Sequence, residues 1–590
     1  MARHLIAARL AVGIVAIGWL LAGHLSVAQD DLAEQTVQYD DDSPKTIMEL
    51  QRFRSVSRAA IQRTDGTPGA AELINLNPAA NSWYLLTLTR SGSAKRANFH
   101  LENPFPKNQN LQLLSGNPRV IEISTSPGIV CRLLEVGKSN VLEEAAASGL
   151  PYAPLCQGTL YLRNPTAGHQ TSLERITDFL RDRVWGGERL IRFVKREFYT
   201  DEFLEKNLPA VSTAATPSAA ASAGPAPAAV SLPIASPPIN PRHLALDIEA
   251  PSTGLVPGQW YVVHNLSGVW VSAIAPENIS ADILNTHLPN VNSLGSIEAA
   301  ALVYLTAFDL QQFDLHFALG TDHPRLDWSD RPPPSSQDSR LPGPDGVGSA
   351  APLVTNGMVS PAQSQRTIAA FAGGFKRAHG AFKYGPMSVR NHGNHYGFIE
   401  QGVVFSKLQP GLATVIVMDD GTVDLKTWSS ADDARLEHIR YARQNGVPLI
   451  EFDPEHNQGI PGRLVNQWGP GNWSGSADED LRTLRAGLCL QEGPTRRYLI
   501  YAYFSAATPS AMARVFQAYH CRYAFHLDMN ALEHTYLALY VPQNKQTVVE
   551  HLIQGMEAVD RTSHNDLVPR FLGFPDDRDF FYLTRRDSPP

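Results

Sequence analysis

Asp528 follows residues 522–527, an apolar, aromatic-rich run that reads as a strand, so the chain delivers it at a strand's C-terminal end. That is where mixed α/β sheets place ligands. A carboxylate there can stabilise a developing oxocarbenium ion. The plainer reading is an Asp that caps the turn after its strand. Arg485 offers a planar guanidinium that can hold two oxygens of a phosphate at once. Alternatively its charge is neutralised by the acidic run Asp478-Glu479-Asp480. Gly373 and Gly374 end a buried-looking strand, residues 367–371. They can bring backbone N–H groups up to an anion or simply make a tight turn.

His392-Gly393-Asn394-His395-Tyr396 is the densest polar and aromatic cluster in the chain. Two imidazoles three residues apart can share a metal, contact a substrate or supply a general acid. They can also be ordinary loop histidines. No third ligand stands at a recognisable spacing, so neither a metal nor a cofactor is expected. Glu451, Asp453, Glu455 and His456 form a second cluster after residues 447–450, of a kind more often simply solvated.

Other chemistries find no support. The chain has no Gly-x-Ser-x-Gly elbow, no Gly-x-x-x-x-Gly-Lys-Ser/Thr loop and no His-Glu-x-x-His. Gly469, Gly471 and Gly475 have the wrong spacing for a dinucleotide fingerprint. Fifty basic against 58 acidic side chains give a net charge of −8, which argues against nucleic acid as a partner. At 43% hydrophobic and 18% charged, the chain can bury large cores.

The elements that must hold these residues fall into two parts. Residues 1–28 have the form of a secretory signal: Arg3 and Arg9, an apolar run over 10–21, and Ser26-Val27-Ala28 as a cleavage site. The alternative is an uncleaved anchor in the inner membrane. Either way the remainder is exported, and few Lys with much Ala suit a bacterial periplasm. Residues 209–240 carry no charge and are rich in Ala, Pro and Ser, which predicts a flexible linker between a first part, 30–208, and a second, 241–590. An oxidising compartment and an even count then favour one disulfide in each part, Cys131 with Cys156 and Cys489 with Cys521, against four buried free thiols.

The first part reads as α+β. Strands are expected near 83–89, 120–124, 129–134 and 158–162. A helix follows from Thr171 or Ser172, and a second carries Leu190, Ile191, Phe193 and Val194. No catalytic constellation stands here, and a binding, docking or structural role is expected, including docking of an envelope partner. The second part reads as mixed α/β. Strands are expected at 261–263, 269–271, 367–371, 414–418, 422–428, 498–504 and 522–527. Helices are expected over 296–308 and from Thr508 to about 519. A surface loop covers 329–364, and Asp420-Gly421 marks a type I′ hairpin.

Three segments of the second part, in order, resemble the phosphodiester glycosidase family, the domain of the enzyme that uncovers mannose 6-phosphate by removing N-acetylglucosamine. Ala370-Phe371-Ala372-Gly373-Gly374-Phe375-Lys376 resembles the family's Asn-Gly-Gly-Phe turn. Arg485-Ala486-Gly487-Leu488-Cys489, preceded by Gln467-Trp468-Gly469, resembles its Arg-x-Gly strand. Phe525-His526-Leu527-Asp528-Met529-Asn530 stands in the place of its Leu-Asp-Gly-Gly. The resemblance covers roughly 300–545. Ala372 stands where the family has Asn, and Met529-Asn530 replaces Gly-Gly; either departure could mean a different substrate or a lost activity.

The resemblance implies a periplasmic or secreted hydrolase of a glycosyl phosphodiester in an envelope polysaccharide or glycolipid. Asp528 and His395 would be catalytic. Arg485, Gly373, Gly374, Asn530 and His392 would bind substrate or phosphate. The strands of Cys489 and Cys521 would be neighbours, because both feed one site. The competing reading is a catalytically inactive glycan-binding or structural envelope protein of the same fold. The sugar, the acceptor and the oligomeric state are left open.

Overall fold

The computed structural model describes residues 44–62, 66–90, 96–114, 117–125, 128–135, 139–172, 174–176, 201–206, 225–232, 236–329, 334, 337, 342–343, 345–377, 395–466, 481–544, 546–564 and 566–586. The expected signal, the helix at 190–194, His392, residues 467–469 and the acidic run 478–480 lie outside them.

The second part is written in short runs of Val, Ile, Leu, Tyr and Phe, broken by Asp-Gly, Asn-Gly and Gly-Pro, a pattern that specifies strands. Among the described residues strand accounts for 42% and helix for 13%, so the protein is more β-rich than the α+β expected. The central sheet runs, in spatial order, Tyr261–Val262, Val269–Ile274, Val303–Asp309, Arg497–Ala507, Thr483–Glu492, Cys521–Met529, Pro448–Asp453, Gln458–Pro461. Each neighbouring pair is antiparallel, which corrects the expected mixed sheet. Arg497–Ala507 and Cys521–Met529 flank Thr483–Glu492 and so run parallel to each other. The helix Pro509–Ala518 joins them as a crossover. Thr508 Oγ1 caps that helix by accepting from the Ala511 N–H at 3.2 Å, with Pro509 in the first turn. Gly487 lets it lie close: a Cβ there would come within 2.8 Å of the Phe516 ring.

On the other side a second sheet, Phe313–Ala318, Phe580–Arg585, Thr367–Ala372, Leu537–Gln543 and Gln546–His551, meets the first through Phe371 and Tyr501, whose rings lie 5.3 Å apart. A third, Val403–Ser406, Phe398–Glu400, Ile439–Gln444, Ala413–Met418 and Val423–Thr427, stacks Phe398 on Phe317 of the second.

Four local expectations need correction. Residues 296–308 are not one helix: Ser296–Ala300 is a single short turn, and Val303–Asp309 is a strand buried at every position between two neighbours. A strand buried on both faces loses its alternation, so its apolar run mimics a helix. The hairpin at Asp420-Gly421 has left-handed backbone at Gly421 alone, with the Met418 N–H donating to Thr422 O; a type I′ turn needs it at both central residues. Residues 345–360, expected as surface loop, bury Val347, Leu353, Asn356 and Val359. Residues 225–232 and 236–240 of the expected linker lie on the second part, with Val230 and Ile239 in its core and Ile239 bridged to Leu255. Two apolar side chains among the Ala and Pro give that stretch something to bury.

The first part is built of two antiparallel sheets. One has six strands, from Ser55–Gln62 to Tyr152–Leu155, and the other has four, from Leu111–Leu113 to Ser139–Asn140. Both expected disulfides form, with Cα atoms 5.6 Å apart for Cys131–Cys156 and 5.8 Å for Cys489–Cys521. The strands of Cys489 and Cys521 are paired neighbours, as expected. The two parts are not separate bodies: Ile47, Leu50, Trp83 and Leu85 of the first belong to the same hydrophobic core as the second. No helix among the described residues is long and apolar enough to cross a membrane.

Candidate functional site

The strand Cys521–Met529 carries one residue more than its neighbour where Asp528 stands, since Arg485 pairs with Met529 but Gly487 with His526. Bulges of this kind re-aim side chains beside functional sites. The Asp528 carboxylate is 8% exposed. Its Oδ1 accepts from the Met529 N–H and its Oδ2 from Arg578 Nη1, both at 2.8 Å. Burial pushes its pKa up against the opposing pull of Arg578.

Arg578 is the hub. It enters from Asp576-Asp577-Arg578-Asp579, just before the strand Phe580–Arg585. Besides Asp528, it donates to Glu174 Oε1 through Nε at 2.8 Å and to His534 Nε2 through Nη2 at 2.9 Å. His534 Nδ1 donates to Met529 O at 2.7 Å, which leaves Nε2 as the acceptor and the ring neutral. Glu174 comes from the first part of the chain. Burial pushes its carboxyl up, but Arg578 and Lys376 outweigh that and hold it well below the usual carboxylate range. Lys376 Nζ lies 3.3 Å from Glu174 Oε1, 3.4 Å from Asp577 Oδ2 and 3.6 Å from Asp322 Oδ2. Burial, with the charge of Glu174, pushes Asp577 up to about 7.

The Gly373-Gly374 turn is fitted to a second charged group. Asp579 pairs with Arg443 Nε at 2.6 Å and lies 3.0 Å from His323 Nδ1. Burial pushes Asp579 up, but those two partners bring it below its ordinary value. Gly374 has φ +123°, and a Cβ there would come within 2.7 Å of Arg443 Nη1. The turn thus hands the chain from the strand Thr367–Ala372 to Lys376.

Asp528 and Lys376 of the expected turn therefore meet in one cluster, through Arg578 and Glu174. Most of the other expected residues are taken up by the fold. Arg485 is wholly buried; its described donors go to Ala507 O and Leu481 O, both at 2.7 Å, and to Met529 Sδ. Burial lowers its pKa to about 9, so it stays charged at neutral pH. The Gly373 N–H donates to Asp579 O at 2.9 Å. Asn530, at φ +81°, accepts from Thr483 Oγ1 and donates its N–H to Leu484 O. His395 is buried, and its Nε2 accepts from the Ser329 N–H at 3.0 Å. Arg578, Glu174, His534 and Asp577 were not anticipated. The signal was available in one Arg set among three Asp immediately before an apolar strand, a poor place for a solvated charge run.

Glu174, Glu533 and His534 bring three ligand-type atoms within 4.8 Å of one another. Both His534 nitrogens are already hydrogen-bonded, and Arg578 occupies the cation's place, so the residues do not fit a metal. Asp453, Glu455 and His456 make an exposed turn in which Asp453 accepts from His456 Nδ1 and the Glu455 N–H. A cleft of about 280 Å³ lined by Leu204, Glu205, Lys206, Asn240, Arg242 and His243 contains none of these residues. No protein-family model matches the chain, and a search of curated proteins finds no match.

Proposed function

We propose that the protein is an exported hydrolase that cleaves the glycosidic bond of a sugar phosphodiester in an envelope polysaccharide or glycolipid. The observation that carries this reading is the buried Asp528 carboxylate held by Arg578, which it shares with Glu174 and, through Glu174, links to Lys376, at the strand end where the resemblance to the phosphodiester glycosidases puts its acidic residue. Asp528 serves the anomeric carbon, as stabiliser of the cationic transition state or as acceptor of the attacking water's proton. Lys376 and Arg578 replace Arg485 as the cations for the phosphate oxygens. The bond from the anomeric carbon to the phosphate oxygen breaks, water supplies the new hydroxyl, and the phosphate leaves as a monoester anion that needs no strong acid. Two disulfides suit export to an oxidising compartment.

The mutual saturation of Arg578, Asp528 and His534 favours one alternative, a glycan-binding protein of the same fold without turnover. A screen of the full chain against nucleotide sugars and glycosyl phosphodiesters by phosphorus NMR separates the two. A hydrolase converts a diester resonance to a monoester resonance. No conversion of any substrate, with retained glycan binding, would favour the alternative.

A further inference from the structure

The first part of the chain does more than sit beside this site. Residues 168–174 are stitched to 575–578: the His169 N–H donates to Pro575 O at 2.8 Å and the Asp577 N–H to His169 O at 3.1 Å. Gly168 permits the approach, since a Cβ there would lie 2.5 Å from the Asp577 nitrogen. Thr171 Oγ1 donates to Glu533 Oε1 at 3.2 Å. Glu174 is thereby fixed opposite Asp577, with the Lys376 ammonium between them. Each carboxylate gives one oxygen to Lys376. The second oxygen of each, Glu174 Oε2 and Asp577 Oδ1, is buried with no partner among the described residues. The two side chains are 3% and 10% exposed. Buried carboxylate oxygens without a donor are rare, because each lacks about 1–3 kcal/mol of hydrogen bonding that water would supply.

What is missing is a pair of donors, and the surroundings restrict what they are. Arg578 and Lys376 already place two cations against Glu174, so a third is disfavoured. Hydroxyl groups fit better. Each can donate to a carboxylate oxygen and accept from the ammonium, and two neighbouring hydroxyls on one ring match two acceptors flanking one donor. Asp322, 3.6 Å from Lys376 Nζ, has its side chain 53% exposed, so the cluster borders on solvent. We propose that Glu174 of the first part, with Asp577 and Lys376, forms a subsite that takes adjacent hydroxyls of a sugar ring, so that the substrate site is completed only when both parts of the chain are present. This rests on the hydrolase reading for what the sugar is attached to, but not for the contacts themselves.

The test uses the full chain and the methyl glycosides of glucose, galactose, mannose and N-acetylglucosamine, titrated by NMR. At least one should bind, and Glu174→Gln and Asp577→Asn should each weaken that binding about tenfold with the circular dichroism unchanged. Calcium and manganese should leave the melting temperature where it was. Equal affinity in both variants, or no binding of any glycoside by the native chain, overturns the subsite. So does a melting temperature raised by a divalent ion in the native chain but not in Glu174→Gln, which would make this a cation site. Turnover of a phosphodiester with glycoside binding indifferent to Glu174 would sink the subsite and spare the hydrolase. Glycoside binding that depends on Glu174, without turnover, would do the reverse.

Discussion

Arg578 balances two buried carboxylates, and a change there should be felt in the fold before it is felt in chemistry. Arg578→Met leaves Asp528 without its cation and Glu174 with Lys376 alone, which costs on the order of 3–5 kcal/mol and should show as a large drop in the denaturant midpoint. Arg485→Lys tests the opposite assignment. A lysine cannot reach Ala507 O and Leu481 O together, so one buried carbonyl loses its donor at a cost of about 1–3 kcal/mol. Stability should fall while turnover per folded molecule stays the same; a raised KM at unchanged stability would return Arg485 to the phosphate. At this scale the sequence made Asp528 legible, because the strand before it announces where it must end. Glu174 and Arg578 were hidden, because runs of charge usually mark solvated surface and their partners lie 404 residues apart.

Strands with turn residues at both ends could be read directly: Trp83–Arg90, Thr367–Ala372 and Arg497–Ala507 fall where their β-prone runs fall. The elements misread are those whose burial comes from other parts of the chain. Val303–Asp309 looks helical because both its faces are covered, and 345–360 looks like loop because its few apolar side chains are buried by tertiary contacts rather than by a local period. The Gly373-Gly374 turn offers the sharpest test of an element. Gly374→Ala must relieve both a left-handed backbone and a Cβ pressed against Arg443 Nη1, and should destabilise by about 2 kcal/mol. Gly421→Ala in the exposed hairpin has room for its Cβ and should cost less. Equal losses at the two glycines would mean that the Arg443–Asp579 pair does not constrain the turn.

At the scale of the whole molecule the two parts are joined by buried polar contacts as well as by a shared core. Arg163 stacks on Trp83 at 4.0 Å, pairs with Glu102 at 2.6 Å and lies 3.9 Å from Glu400 of the second part. Tyr152 donates to Met358 O, and Ser360 to Glu102. A fragment of residues 241–590 should therefore aggregate, and the full chain should unfold in one calorimetric transition; two well-separated transitions would contradict a shared core.

Burial pushes Glu400 up to about 7, against the pull of Arg163. An acid raised on folding stabilises fully below its unfolded value, near 4.5, and loses that contribution as pH rises through 7. Stability should fall by on the order of 2 kcal/mol between pH 5 and pH 8, and Glu400→Gln should flatten the slope. An unchanged slope in that variant would move the titration elsewhere.

In the proposed hydrolase Asp528 serves the anomeric carbon of a glycosyl phosphodiester. Steady-state hydrolysis by the full chain and by Asp528→Asn, followed by phosphorus NMR on the best substrate from the screen, measures that role most directly. The asparagine keeps an oxygen for Arg578 and removes the charge needed only as the cation develops. The expected result is therefore a kcat lower by a factor of about 10³ or more, with KM little changed and the circular dichroism intact. Unchanged kcat in a folded Asp528→Asn protein would contradict the assignment and leave the carboxylate as no more than Arg578's structural partner.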